Sequence, residues 1–204
     1  MGELKFPHFF YLGKMKKIVF ALVVLYCGAI THAQNFEQEK VTVLPSSNLT
    51  IIGDSNIAAF QCEFDTSYLE GLQVIGYHQS GNEIEFTGAI LPLKNKGFDC
   101  GSKGINRDFH DLLQTEEYPQ IFLELKKVTL SSPSQGMATV VITIAGEKRS
   151  YVVPVTIKDD VIAEFNGNLH LNITDYGLKA PKKLFGMIVV KDEIDIQFNL
   201  QVKK

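Results

Sequence analysis

The sequence predicts an all-β fold of about eight antiparallel strands with one short helix. Three observations carry this. Apolar and polar residues alternate with period two over long stretches, glycine-centred turns separate stretches of similar length, and a single block has helical spacing. Strands that keep one face wet and one face dry are typical of antiparallel sheets.

In chain order, Ser80-Gly81-Asn82 begins a hairpin, and Ile84, Phe86 and Gly88 lie on one face of the strand after it. The helical block runs from Phe98 to Phe122. Gly101 and Gly104 break a strand, Asn106 is placed to cap a helix, and Asp108 then falls in its first turn, where the helix dipole favours an anion. Phe109, Leu112 and Leu113 form its apolar stripe, and Tyr118-Pro119 ends it. Alternation resumes at Ile121, Leu123 and Leu125, and again at Ala138, Val140, Ile142 and Ile144. Ala145-Gly146-Glu147 and Lys158-Asp159-Asp160 link the next strands. Phe165, Gly167, Leu169, Leu171 and Ile173 then face one way, with Asn166, Asn168, His170 and Asn172 opposite. In the last stretch Ile194, Ile196, Phe198, Leu200 and Val202 alternate with Asp195, Gln197, Asn199 and Gln201. Eight strands with one apolar face can close into a barrel, which removes exposed edges.

The start of the chain reads as an export signal. Met15-Lys16-Lys17 precedes an apolar run of 13 residues, Ile18 to Ile30, and Thr31-His32-Ala33 supplies small residues for cleavage after Ala33. The run is short for a membrane span, so no stable span is expected. Met1 to Lys14 stand before a good start at Met15 and read as an over-extended start. Cys27 follows aliphatic residues as a lipoprotein site would, but Tyr26 beside it is too bulky for one. Residues 34–204 then form a single domain, with no repeat or linker. The whole chain has 20 Lys and Arg against 23 Asp and Glu, and loss of residues 1–33 leaves a net charge of about −6. Without a clustered positive field, no nucleic-acid partner is expected.

Two cysteines remain, Cys62 and Cys100. An even pair in an oxidising compartment suggests a disulfide; two buried thiols are the alternative. Two cysteines without histidines at ligand spacing make no metal site. Arg107, Asp108 and His110 could be drawn as an acid–base group, but Asp108 and His110 diverge by about 200° on a helix. The chain has no nucleophile elbow, His-Glu-x-x-His or phosphate loop, so no enzyme, catalytic residue or cofactor is expected.

Several stretches, taken in order, carry a resemblance. Arg107-Asp108-Phe109-His110, Glu116-Glu117-Tyr118-Pro119 and the strand from Gln120 to Lys127 follow one another. They are flanked by Leu49 to Asn56, by Ile142 to Arg149, and by Ile173 to Leu178 with Val190 to Ile194. This order resembles the YceI-like family of extracytoplasmic lipid-binding proteins over roughly Val41 to Val202. The chain departs from the family at Asn56 to Phe60 and in having no Trp.

The resemblance implies an eight-stranded, extended, lipocalin-like antiparallel barrel that holds a hydrophobic lipid, a polyisoprenoid or a quinone-like molecule, in an apolar tunnel. It also places the cysteine pair between the second strand and the loop before the helix. Glycines Gly71, Gly76, Gly88 and Gly167 would leave the space, and Phe86, Phe122, Phe165 and Phe198 would touch the tail. A charged headgroup wants a cation at the mouth, for which Arg107 is the candidate; its alternative is a structural pair with Asp108 or Glu116. Asp175-Tyr176-Gly177 reads as a turn with Tyr176 on the barrel rim. Two other readings stand beside the carrier: a filled, stress-related barrel acting through its surface, and an enzyme built on Arg107, Asp108 and His110. Periscoped onto one strand pattern, pocket and core look the same, and a homodimer is left open.

Overall fold

The eight long alternating segments find their edges in one another. The computed structural model describes residues 35–69, 71–183 and 187–203. The export signal, its cleavage after Ala33 and Cys27 lie outside the described residues. The strands are β1 (Glu37–Val43), β2 (Asn48–Ser55), β3 (Phe60–Phe64), β4 (Leu72–Ser80), β5 (Glu83–Thr87), β6 (Ile90–Lys94), β7 (Phe98–Asp99), β8 (Gln120–Ser132), β9 (Gln135–Ile144), β10 (Glu147–Lys158), β11 (Ile162–Asn172), β12 (Lys182–Lys183) and β13 (Ile188–Lys203). The helix α1 spans Lys103–Leu112.

Eight of these strands form a closed antiparallel ring in the order β1-β4-β5-β8-β9-β10-β11-β13, and the pairs Thr42↔Lys203 and Val43↔Val202 return β13 to β1. Two strands are long enough to take two partners on one edge. β13 pairs with β2 through Val190 to Asn199 before it meets β1. β8 pairs with β6 through Gln120 to Glu124 and with β5 through Lys127 to Thr129. Gly88, in the left-handed region at φ 71°, turns the chain between β5 and β6, and a bulge in β8 between Leu125 and Lys127 lies close to that junction. β3 and β7 continue the wall beyond β2. The ring therefore extends into a longer wall at one end, as the extended barrel requires.

Cross-strand partners share a face, so register fixes the inside. From Phe198 the inward series passes to Gly167, Val155 and Gly136, and one step along to Val153, Ala138, Val128 and Ile84. Ala145 and Gly146, both at positive φ (47° and 81°), make the tight turn between β9 and β10 that matches strand twist.

The helix begins earlier than the sequence suggests. Ser102 is its N-cap, extended and accepting the Ile105 N–H, while Asn106 lies within the helix. Asn106 instead accepts the Cys100 N–H at 2.6 Å and donates to Asp99 at 3.0 Å. A side chain that can reach back to free backbone groups before the helix holds the entry loop rather than the helix end. Leu113 closes the helix, and Gln114 at φ 52° turns the chain away before Tyr118-Pro119 is reached.

Candidate functional site

The lumen has one packed end. There Ile121, Ile142, Leu171, Ile173 and Leu93 are buried, and Phe98 packs edge-on against Phe64 at 4.9 Å and beside Phe109 of α1 at 5.2 Å. Leu113 is buried behind them, and Leu112 is partly buried against the same core. Asn95, 1% exposed, ties the helix exit down by donating to the Thr115 hydroxyl and the Tyr118 carbonyl. Tyr118 in turn lies against Gly146 in the β9–β10 turn, where a Cβ would meet its ring. The helix and its exit loop thus brace this end. A disulfide joins Cys62 on β3 to Cys100 just after β7, with Cα atoms 3.9 Å apart. Both cysteines are buried, so the bridge lies inside this packing.

Toward the other end Val41, Val155 and Ala163 are buried, while the larger inward side chains are less fully covered. Inward-facing Phe86, Leu130, Ile157, Phe165, Phe198 and Leu200 all keep part of their surface accessible. β1 runs past the last β13 pair there, and register places Glu37 and Glu39 on the inward face with Tyr77 and Ile75 opposite them. The Tyr77 hydroxyl donates to Glu37 at 2.7 Å, and this bond to a carboxylate raises the phenol above its ordinary range. The rim is therefore acidic.

Each residue singled out from the sequence has a definite place. Phe86, Phe165 and Phe198 are inward. Phe122 is not: it pairs with Pro92 and Thr143 on the outward face, between inward Ile121 and Leu123, and is 37% exposed. Alternation alone put Phe122 near the right residues but one step off the inner face. Gly167 does not leave open space, because the Phe198 ring lies over it and a Cβ there would collide with that ring. Gly76 faces outward opposite Thr87, and Gly71 precedes β4 with nothing near it. Gly88 serves the β5–β6 turn. Arg107 is exposed on α1, at the braced end and away from the acidic rim. His110 Nε2 sits 3.2 Å from the Asn95 carbonyl, a structural contact.

An open groove of about 840 Å³ runs over the outward face of β2, β13, β11, β10 and β9. Asn48, Thr50, Asn166, Asn168, Gln197 and Asn199 supply its polar lining. Its chemistry does not suit a hydrocarbon chain. Among the described residues no cluster of His, Cys, Asp and Glu could hold a metal, and no helix is long and apolar enough to cross a membrane.

The sequence reading missed a polar group inside the barrel. Tyr151 is inward on β10, opposite Val140. Tyr176, in the short 3-10 turn Ile173–Tyr176, is 2% exposed rather than on a rim. Both hydroxyls are buried without a hydrogen-bond partner of sound geometry. Burial first, and the neighbouring Tyr151 hydroxyl second, push the Tyr176 phenol far above its ordinary range, so it is neutral. A buried unsatisfied hydroxyl costs about 1–3 kcal/mol. The signal was available: a tyrosine at an inward strand position carries a polar tip that needs a partner.

A closed antiparallel ring with an apolar inner face, braced at one end by a helix, defines a lipocalin-like barrel. The chain belongs to the YceI-like family: the YceI-like domain matches residues 93–202, just over half its length. Among solved structures it is similar to Burkholderia cenocepacia BcnA, with a TM-score of 0.61 and 18% identity over 78% of this chain and 96% of that one. It is also similar to a polyisoprenoid binding domain from Saccharophagus degradans implicated in plant cell wall breakdown, with a TM-score of 0.59 and 14% identity over 80% and 97% of the two chains. At these identities the likeness is one of fold. No curated protein matches the sequence.

Proposed function

We propose that this chain is an extracytoplasmic binding protein that carries a long-chain amphiphile, a polyisoprenoid or quinone-like lipid, in the lumen of its barrel. The observation that carries this is the inner face near the acidic rim, where Phe86, Leu130, Ile157, Phe165 and Leu200 point inward yet stay partly accessible. Apolar side chains with surface left over inside a closed ring can cover a hydrocarbon chain, and each methylene they take from water is worth about 0.8 kcal/mol. Few polar contacts are then needed, and those set orientation. The family, and a structural relative described as a polyisoprenoid binding domain, support the ligand class. The disulfide and the export signal read in residues 15–33 support an oxidising, extracytoplasmic setting. No catalytic role is assigned to Arg107, Asp108 or His110.

The test is a series of single-chain amphiphiles with one headgroup and increasing tail length, titrated against the purified protein. Affinity rises with each added methylene until the lumen is filled. Affinity that ignores tail length would place binding at the surface and support the filled barrel instead.

A further inference from the structure

We propose that the outward face of β9, β10, β11, β13 and β2 is a second binding site, separate from the lumen, and that it takes a linear, uncharged glycan. The groove of about 840 Å³ lies on this face, and it opens where the wall forks. β10 and β11 pair from Lys158↔Glu164 only as far as Val155↔Gly167. Beyond that point β10 continues with β9 to Glu147↔Ile144, and β11 continues with β13 to Asn172↔Glu193. Pro154, which has no N–H to donate, and Asn168 stand on the two sides of the fork, and both line the groove.

Register arranges the lining in two rows across the five strands. Gln135, Thr156, Asn166, Asn199 and Asn48 form one row. One step toward the braced end, Met137, Pro154, Asn168, Gln197 and Thr50 form the other. Neighbouring strands stand about 4.8 Å apart, so each row spans roughly 19 Å, the length of several sugar rings end to end. Neither row holds a charged side chain. The neutrality is local, because the next rows on β11 and β13 set Glu164 against Gln201 on one side and His170 against Asp195 on the other.

The chemistry selects the ligand class. With no cation in the lining, a phosphate or an acidic polymer has nothing to pair with. The bordering Glu164 carboxylate already accepts from Asn199 at 2.6 Å and from Asn166 at 3.4 Å. Asn199 also donates to Asn166 at 2.6 Å, and Thr50 donates to Asn48 at 3.0 Å, so these side chains hold one another in place. Asn168, Gln197 and Gln135 differ: they are exposed, and their side chains have no hydrogen-bond partner among the described residues. A primary amide offers two N–H donors and a carbonyl acceptor on one rigid plane. Neighbouring sugar hydroxyls, each both donor and acceptor, match that set, whereas a carboxylate only accepts and an ammonium only donates. Met137, 42% exposed, stands across from exposed Pro154 and gives an apolar step for the C–H face of one ring.

The experiment titrates the purified protein with linear hexasaccharides of β-1,4-glucose, α-1,4-glucose and β-1,4-N-acetylglucosamine, with an acidic hexagalacturonate for comparison. Side-chain amide resonances and calorimetry are read in wild type, Asn168→Ala and Gln197→Ala. Both side chains are exposed and unpartnered, so truncation leaves the strands intact. The expected result is binding of at least one neutral hexasaccharide that moves the Asn168 and Gln197 side-chain amide signals and weakens about three- to tenfold in each variant. Three results would overturn the site: no neutral hexasaccharide moves those signals, binding is unchanged in both variants, or hexagalacturonate binds tightest. Lipid uptake is measured on the same samples. A protein that binds glycan and no lipid keeps this site and loses the lumen reading, and one that binds lipid and no glycan loses this site alone.

Discussion

At the scale of single residues, Gly167 and Phe198 form one unit. The Phe198 ring lies over the glycine across β11 and β13, which covers backbone that a glycine leaves bare. Gly53 and Phe60 repeat the arrangement on β2 and β3. Gly167→Ala therefore overpacks the site and costs about 1–3 kcal/mol, read as a lower denaturant midpoint. In a Phe198→Ala background the same change costs little, because the ring it would strike is gone. An equal cost in both backgrounds would contradict the pairing. Much of this inner face is legible from alternation: Phe86, Phe165 and Phe198 all lie on the inward face of their strands. Phe122 was misplaced because β8 is a strand with partly covered residues on both faces, where hydrophobicity does not mark the inside. The glycines were misread because a residue without a side chain shows nothing of what fills the space above it.

At the scale of elements, the entry to α1 is held by Asp99 as much as by its cap. Asp99 accepts from the Asn106 amide at 3.0 Å and from the Gly101 N–H at 2.9 Å, and these bonds, the first above all, hold its carboxyl below the ordinary 3.8. A depressed folded pKa stabilises above the unfolded value and is lost as pH falls through the folded one. The Cys100 and Gly101 amide resonances should shift together below pH 3.8, and Asp99→Asn should remove that acid sensitivity. An unchanged titration in the variant would place the acid response elsewhere. The disulfide acts on the same segment over a sequence separation of 38. Its loss in Cys62→Ala/Cys100→Ala is expected to cost roughly 4 kcal/mol by the chain-entropy argument. The oxidised protein should expose no reactive thiol from this pair until it is reduced; prompt alkylation of both would contradict a closed bridge. The cysteine pair was legible by count, whereas the true helix cap was not, because Ser102 and Asn106 are both good caps in sequence and only the loop geometry separates them.

At the scale of the whole molecule, one chain builds two kinds of interior. The braced end buries Ile142, Leu171 and Cys62 almost completely, as a stable core does. Toward the rim, the larger inward side chains Phe86, Leu130, Ile157, Phe165 and Leu200 retain accessible surface beside buried Val155 and Ala163. Strand number and alternation announced the barrel, but closure depends on β13 being long enough to meet both β2 and β1, a matter of register rather than of composition. The proposed lipid binding rests on the second kind of interior, and a direct test looks for a cargo. The protein is exported, purified without lipid addition, weighed by native mass spectrometry and extracted with organic solvent. A discrete added mass that extracts as one long-chain amphiphile is the result expected of a carrier. A bare mass, unshifted after incubation with prenylated quinones, prenyl phosphates and fatty acids, would contradict lumen binding and leave a filled barrel acting through its surface.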